Sequence, residues 1–244
     1  MNAVTAVIKR ELKSYFLTPV AYVFIIVFLV AANWLAFGLG QIYERRQADL
    51  EFFFTFHPWL FLFLVPALSM RLWAEERKSG SIELLMTLPL EPWHAVVGKF
   101  LAAWLFTSLA IVLTFPIWIT INYLGSPDNG AILAAYVGSI LMAGGFLAVG
   151  SCLSAVTKNQ VIAFILSVGV CFVLLLAGFP IVLDVFSAWL PATIVDGIAS
   201  LGFLTHFDDI SRGVIDLRDL VYFALLIATF LYATTLVLGI KQAD

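Results

Sequence analysis

The chain has 244 residues, of which 62% are hydrophobic and 12% are charged, and its formal net charge is −3. Ordinary soluble domains have roughly 45–50% apolar residues, so this composition excludes a soluble globular protein. The small negative charge, without any run of five basic residues, also argues against nucleic-acid binding.

The first 18 residues have the pattern of an amphipathic helix. Apolar side chains recur every four residues, and basic side chains lie between them: Val4, Ile8, Leu12 and Phe16 alternate with Lys9, Arg10 and Lys13. This spacing predicts a helix over residues 1–18 that lies in the cytoplasmic membrane interface. Thr18 and Pro19 predict a bend into the first span. A frayed basic leader is the alternative.

Six long stretches carry no charged residue, and each holds at least about 19 residues, enough to cross a hydrocarbon core of roughly 30 Å as a helix. They are Ser14–Tyr43, Phe52–Met70, Phe100–Pro127, Asn129–Thr157, Asn159–Leu183 and Leu220–Ile240. Period-2 alternation, which a membrane strand barrel requires, does not occur. The sequence therefore predicts an all-α membrane protein with six transmembrane helices, forming a single domain over residues 1–244.

An even number of spans places both termini on one side of the membrane. If that side is the cytoplasm, nine basic residues lie inside and four outside, as the positive-inside rule favours. The inner set is Lys9, Arg10, Lys13, Arg71, Arg77, Lys78, Lys99, Lys158 and Lys241, and the outer set is Arg45, Arg46, Arg212 and Arg218.

Residues 71–99 form the predicted cytoplasmic connection between spans 2 and 3. Gly80 can cap a helix there, and Glu83 favours the positive end of that helix. Pro89 ends it, because the residue before a proline avoids the helical region. The result is a helix of about eight residues, roughly 12 Å long.

This short helix has an apolar face with no hydrocarbon core against which to pack. Ile82, Leu85 and Leu88 therefore suit a groove on a soluble partner protein. A charged cluster before them would orient the contact, and its members are Glu75, Glu76, Arg77 and Lys78. The alternative is a loop that packs on the membrane surface.

The chain carries no recognisable energy source or catalytic motif. Gly98 and Lys99 fail the phosphate-loop pattern. Charged residues do not occur deep inside any predicted span, whereas an ion-coupled carrier needs one for its relay. The three histidines lack metal-ligand spacing. His57 is interpreted as an interfacial histidine near the outer surface, and the Asp208–Asp209 pair as solvated charge.

Three further features have more than one interpretation. Small residues recur at four-residue spacing in span 4, namely Gly144, Ala148 and Cys152 with Gly150 and Ser154. They favour close helix packing, with a substrate path as the alternative. Asn33 and Asn122 are buried-amide candidates for packing or for a substrate path.

The outer segment 184–219 is too polar to span the membrane. Ile194, Ile198 and Leu201 form an apolar stripe, and Pro191 and Gly202 interrupt it. We expect a pair of short helices that dip back from the outer surface and seal that end.

One stretch has a specific resemblance. EERKSGSIELLMTLP at residues 75–89, followed by Gly98 and Lys99, resembles the E-x-x-x-G-[ST]-[ILM]-E-x-L-x-[ST]-x-P motif and later GK of ABC-2 type transporter permeases. The topology is similar along essentially the whole chain. FDDISRGVIDLRD, at residues 207–219, resembles the gliding-motility-associated branch of that family.

The resemblance implies a permease subunit of an ATP-driven exporter in a bacterial inner membrane. ATP and magnesium would bind to a separate cytoplasmic ABC ATPase, so this chain would hold no cofactor, metal site or catalytic residue. A second permease copy or a paralogue would complete the transporter, with an accessory subunit outside or in the membrane as an open possibility. A non-transporting membrane scaffold that anchors a cytoplasmic complex is the alternative function.

The resemblance also assigns roles to residues. Residues 80–89 would be the coupling helix seated in the ATPase, and the turn that contains Lys158 would be a second, smaller contact. The ATPase-coupling residues would be Glu75, Glu76, Arg77, Gly80, Ile82, Glu83, Leu85, Leu88, Pro89 and Lys158. The N-terminal helix would buttress the coupling helix by pairing Arg10 or Lys13 with Glu75 or Glu76.

Overall fold

A computed structural model describes residues 3–40, 48–82 and 91–240, and these ranges are helical without a strand. The helices are α1 (Ala3–Leu17), α2 (Pro19–Trp34, extended by a π turn over Leu35–Leu39), α3 (Glu51–Thr55), α4 (His57–Ser69), α5 (Arg71–Ser79), α6 (Pro92–Val112), α7 (Phe115–Leu124), α8 (Asn129–Val156), α9 (Gln160–Leu176), α10 (Pro180–Ser187), α11 (Ala192–Ala199), α12 (Phe203–Ser211) and α13 (Leu217–Ile240). The predicted coupling residues Glu83, Leu85, Leu88 and Pro89 lie outside the described residues.

The helices confirm an all-α membrane protein. Within the described ranges, five continuous helical segments are long and apolar enough to cross a membrane: Pro19–Leu39, Glu51–Ser79, Pro92–Leu124, Asn129–Val156 and Leu217–Ile240. The predicted fifth span is instead a bent pair, because α9 ends at Leu176 and the chain turns by 71° before α10. The total is six when that pair is counted as one span.

Local sequence explains several helix boundaries. Thr18 is extended, and Pro19 occupies the first turn of α2, where its missing N–H costs nothing. The predicted bend between α1 and α2 is therefore present. Asp128 begins α8 by accepting hydrogen bonds from two backbone N–H groups, and Asn159 begins α9 in the same way with one.

Helix α8 lies at the centre of the bundle and contacts α4, α5, α6, α9, α12 and α13. Its small residues allow this close packing, as predicted. A Cβ atom on Gly144 would meet the Trp104 ring, and one on Gly150 would overlap Ser69. The small side chains of α8 are therefore used for helix packing.

In the segment 184–219, the helix that packs on the bundle is not the one that carries the predicted apolar stripe. The Ile194 and Leu201 stripe is exposed, and α11 has no buried residue. Helix α12 packs on α8 instead, through buried residues that include Phe203 and Ile210. The predicted breaks at Pro191 and Gly202 are correct, since α11 and α12 begin directly after them.

The prediction for His57 is wrong. Its side chain is 0% exposed at the start of α4 and lies among the rings of Phe28, Phe53, Phe54 and Phe61. The Nδ1 atom is 2.8 Å from Ser139 Oγ on α8. Packing against α8 and α2 therefore buries this histidine inside the protein.

Candidate functional site

Helix α5 is the last part of the segment Glu51–Ser79 and leads to the predicted coupling segment. Leu72, Trp73 and Ala74 are buried, whereas Glu76 and Arg77 are half-buried and its other polar residues are exposed. Gly80 ends the helix with a φ of +73°, a conformation that favours glycine. Gly80 was predicted to begin the next helix. It closes α5, and Ser81, directly after it, is already helical.

A side chain from α8 caps the beginning of α5. The Ser154 hydroxyl oxygen accepts hydrogen bonds from the backbone N–H groups of Trp73 and Ala74, both at 3.1 Å. The same hydroxyl donates to the Met70 carbonyl at 2.9 Å. The first N–H groups of a helix lack intrahelical partners, so one serine on a neighbouring helix satisfies two of them. This contact fixes α5 to α8.

Two further bonds join the same helices. The Trp73 indole N–H donates to Ser151 Oγ at 3.0 Å, and the Arg77 guanidinium donates to the Ala155 carbonyl at 2.5 Å. All of these groups are at least partly buried. Low dielectric strengthens such bonds and makes their loss costly, so α5 is held to the last turns of α8 along most of its length.

A buried ion-pair cluster joins α5 to α6 and α1. Lys99 Nζ, on a side chain that is 4% exposed, lies 2.8 Å from a Glu76 oxygen and 3.5 Å from a Glu11 oxygen. It also donates to the Leu72 carbonyl at 3.1 Å and lies 5.2 Å from the centre of the Trp73 ring. The carboxylates and carbonyl together offset the cost of burying the ammonium group.

Helix α1 completes the cluster. Arg10 lies 3.8 Å from Glu76, which confirms one of the predicted pairings between the N-terminal helix and the acidic residues before the coupling segment. The backbones of α1 and α6 approach closely, because a Cβ atom on Gly98 would lie 2.7 Å from the Val7 side chain. Four helices, α1, α5, α6 and α8, therefore meet at this end of the bundle.

The turn between α8 and α9 lies beside the end of α5. Lys158 and Asn159 in this turn line a cleft of about 400 Å³ together with Lys78. The turn that contains Lys158 thus lies beside the end of α5, the helix that directly precedes the predicted coupling segment.

The chain matches the family model described as ABC-2 family transporter protein over residues 41–207, which is more than half of its length. It belongs to the ABC-2 transporter family. The match includes α5, the ion-pair residue Lys99 and all of α8, so it covers most of the helix junction described above. Members of this family are membrane permeases of ABC transporters, which agrees with the membrane-spanning helices.

One curated relative is similar over part of its length. It is the heme exporter protein B of Rhodobacter capsulatus, which is 33% identical over 105 residues. This alignment covers 41% of the present chain and 44% of the relative. The chain therefore spans less than half the length of that relative.

In this ABC-2 protein, the predicted coupling residues that the structure describes have different surroundings. Glu76 and Arg77 bind within the chain and hold α5, whereas Glu75 and Lys158 are exposed at the same end. Ile82 is partly buried and packs against the core.

The two asparagines considered for a substrate path bond locally. Asn33 donates to the Leu29 carbonyl of its own helix at 2.7 Å. Asn122 exchanges hydrogen bonds with Asn129 across the connection between α7 and α8. Each of the two side-chain amides therefore makes at least one hydrogen bond within the chain.

Sequence reasoning missed the residues that organise the junction. Lys99 was considered as an inner basic residue, as a failed phosphate loop and as part of the family motif, and Ser154 only as a small residue. A signal for Lys99 was present: it is a lone charge in the first turns of a long apolar helix, and a buried charge of that kind requires a partner. Ser151 and Ser154 gave a weaker signal, as hydroxyls at three-residue spacing on one face of α8.

Proposed function

We propose that this chain is the membrane-spanning subunit of an ATP-driven exporter, powered by an ATPase on a separate cytoplasmic chain. ATP and magnesium would bind to that partner and supply the energy of transport. Two permease chains would form the path, in a bacterial inner membrane, with both termini in the cytoplasm. Export is proposed because the partial relative is named as an exporter.

The observation that carries the proposal is the attachment of α5. A partner that moves the segment after Gly80 would move α5, which is bonded to α8 through Ser154 and to α6 through the Lys99–Glu76 pair. Packed helices and ion pairs of this kind transmit displacement as a unit. Binding of an ATPase at residues 80–89 would therefore move the central helix and the N-terminal helix together.

The second predicted contact supports the same arrangement. Lys158 lies in the cleft shared with Lys78, and both cations are exposed. A soluble domain seated on residues 80–89 would also reach this turn. The N-terminal end of α9, which follows the turn, would then be moved directly.

A mild-detergent purification of the tagged chain from its native membrane tests the proposal, with subunit ratios measured by mass spectrometry. We expect a phosphate-loop ATPase at about one copy per permease. Leu85→Glu should abolish that association, because it places a charge on the predicted apolar face. The matched control is Leu217→Glu, at an exposed position in the first turn of α13, where an acidic residue is tolerated.

Recovery without any nucleotide-binding subunit would overturn the proposal and favour the membrane scaffold. Association that survives Leu85→Glu would place the docking site elsewhere on the chain. Equal loss of the ATPase from the Leu85→Glu and Leu217→Glu variants would indicate misfolding of the membrane domain. In that case the ATPase activity of the intact complex decides. Activity that requires the permease supports the transporter, and activity that does not require it supports the scaffold.

A further inference from the structure

Two adjoining cavities lie where α1 turns into α2, and three residues line both of them: Tyr15, Thr18 and Arg71. One cavity, of about 390 Å³, is lined by charged side chains of α1, α5 and α6. The other, of about 260 Å³, runs between α2 and α4 and is almost entirely apolar. We propose that this divided cleft binds a glycerophospholipid, with the phosphate at Arg71 and an acyl chain between α2 and α4.

The apolar compartment has the shape and surroundings of an acyl-chain groove. Phe24 and Leu68 are buried and form its floor, while Val23 and Val27 are more than 40% exposed along its rim. Helices α2 and α4 both belong to membrane-spanning segments, so the groove opens into the hydrocarbon layer. Burial of lipid methylene groups there contributes roughly 0.8 kcal/mol each.

Four of the six charged groups that line the polar compartment are paired with one another. Lys99 binds Glu76 and Glu11, and Arg10 binds Glu11 at 2.7 Å. These four groups therefore carry little unpaired charge, and they are linked to one another at the side of the cavity formed by α1 and α6.

Arg71 differs from these four groups because, like Glu75, it forms no ion pair within the described part of the chain. It also borders the apolar compartment, whereas Glu75, one helical turn further along α5, lines the polar compartment alone. Among the described residues, Arg71 is thus the charged group at the junction. A guanidinium presents several donors in a fork that matches phosphate oxygens.

Tyr15 adds a second donor at the junction. Its ring stacks on Phe106 at 5.3 Å, and its hydroxyl makes no hydrogen bond to a described residue. Burial, together with the nearby Glu11 carboxylate, raises the pKa of this hydroxyl further above neutral pH, where an ordinary tyrosine is already a donor. A lipid phosphate would therefore meet the guanidinium on one side and the phenol on the other.

The proposal is tested on the purified transporter, delipidated and then titrated with dioleoyl phosphatidylglycerol under native mass spectrometry. We expect one lipid per permease to be retained far longer than the rest. Dioleoylglycerol, which has the same chains without a phosphate, should bind at least tenfold more weakly. Glycerol 3-phosphate should not compete, because it has the phosphate without the chains.

Two variants and one control give the test its specificity. Arg71→Gln should weaken the binding of the retained lipid by about tenfold or more, the factor expected for loss of a charge-assisted hydrogen bond. Ala67→Phe should exclude it by filling the apolar compartment, which Ala67 lines. Arg218→Gln, which removes an equally charged group at the start of α13, should leave the binding unchanged.

Three results would overturn the proposal. Equal lipid retention in the Arg71→Gln and Arg218→Gln variants would show an ordinary annular lipid. Competition by glycerol 3-phosphate would show a free-phosphate site. A dimer that carries no retained lipid, and that Ala67→Phe dissociates, would show that a second copy of the chain occupies the groove.

Discussion

The Nζ atom of Lys99 lies 2.8 Å from the Oε1 atom of Glu76, although the two residues belong to different membrane-spanning segments. The pair joins α6 to α5 immediately before the predicted coupling segment. Because Lys99 is buried, its charge has few alternatives to this partner.

Loss of the Glu76 carboxylate should therefore destabilise the protein. Glu76→Gln leaves the buried ammonium with a weaker set of partners, and breaking a buried pair in this way costs about 3 kcal/mol. We expect a clearly lower melting temperature in detergent. Glu75→Gln is the matched control, because Glu75 is exposed on the same helix.

The double variant Glu76→Gln with Lys99→Met separates charge burial from packing. It removes both charges, so it should recover part of the stability that Glu76→Gln loses. If the losses of stability in the two single variants simply add in the double variant, the pair is not coupled and the interpretation is wrong.

Ser154 provides a second prediction, because its hydroxyl caps α5 from another helix. Ser154→Ala should leave the N–H groups of Trp73 and Ala74 without that partner and cost about 1–2 kcal/mol, as for other N-cap losses. Hydrogen exchange should accelerate specifically at these two backbone amides. A general packing defect would instead accelerate exchange at many amides.

A matched serine is available for comparison. Ser167 is also fully buried on a membrane helix, but its hydroxyl has no hydrogen-bond partner among the described residues. Ser167→Ala should therefore leave the melting temperature unchanged or raise it. Equal destabilisation by both substitutions would contradict the capping role of Ser154.

The spans could be predicted from the sequence because each is a long apolar stretch that ends at a charge or a proline. The position of His57 could also have been read more accurately. Phe53, His57 and Phe61 recur every four residues, a spacing that places the histidine on one helical face with aromatic side chains. The error came from treating the residue as a boundary marker.

The packing of the outer segment could not be chosen from its own residues. The predicted stripe at Ile194, Ile198 and Leu201 and the observed face of Phe203–Ser211 have similar helical spacing. What selects α12 is its partner: Gly138 lies under Ile210, while Gly145 lies under Phe203. Such matching between distant helices is not encoded in either segment alone.

The same limit applies to the junction at α5. Local spacing indicated that the charged cluster before Gly80 was important, but not that Glu76 would bind Lys99 or that Ser154 would cap the helix. These contacts depend on how α5, α6 and α8 pack, and several charge pairings were equally plausible from sign alone.

Gly98 provides a third prediction, concerning the attachment of α1. Gly98→Ala should push α1 away from α6, because the added Cβ atom would lie 2.7 Å from the Val7 side chain. We expect a lower melting temperature and faster hydrogen exchange in α1. The control is Gly169→Ala, where an added Cβ atom meets nothing within 4 Å. Unchanged exchange in α1 would show that this close approach is not required.

The last prediction concerns the end of the bundle that carries α12. His206 Nδ1 lies 2.6 Å from Asp219 Oδ1, and Nε2 lies 3.0 Å from the Ser200 carbonyl. Both ring nitrogens therefore face an oxygen of another helix or connection. Both side chains are buried, so the pair ties α12 to the first turn of α13.

Asp219→Asn should weaken this tie, because it replaces a charge-assisted hydrogen bond by a neutral one. We expect a lower melting temperature and faster hydrogen exchange across α12, with α5 unaffected because it lies at the other end of α8. Asp209→Asn is the control, since Asp209 is exposed on α12 itself. Faster exchange in both variants would point to a general effect of charge on α12. Protection of α12 that persists in Asp219→Asn would show that the buried rings of Phe203 and Phe207 are sufficient to hold the helix.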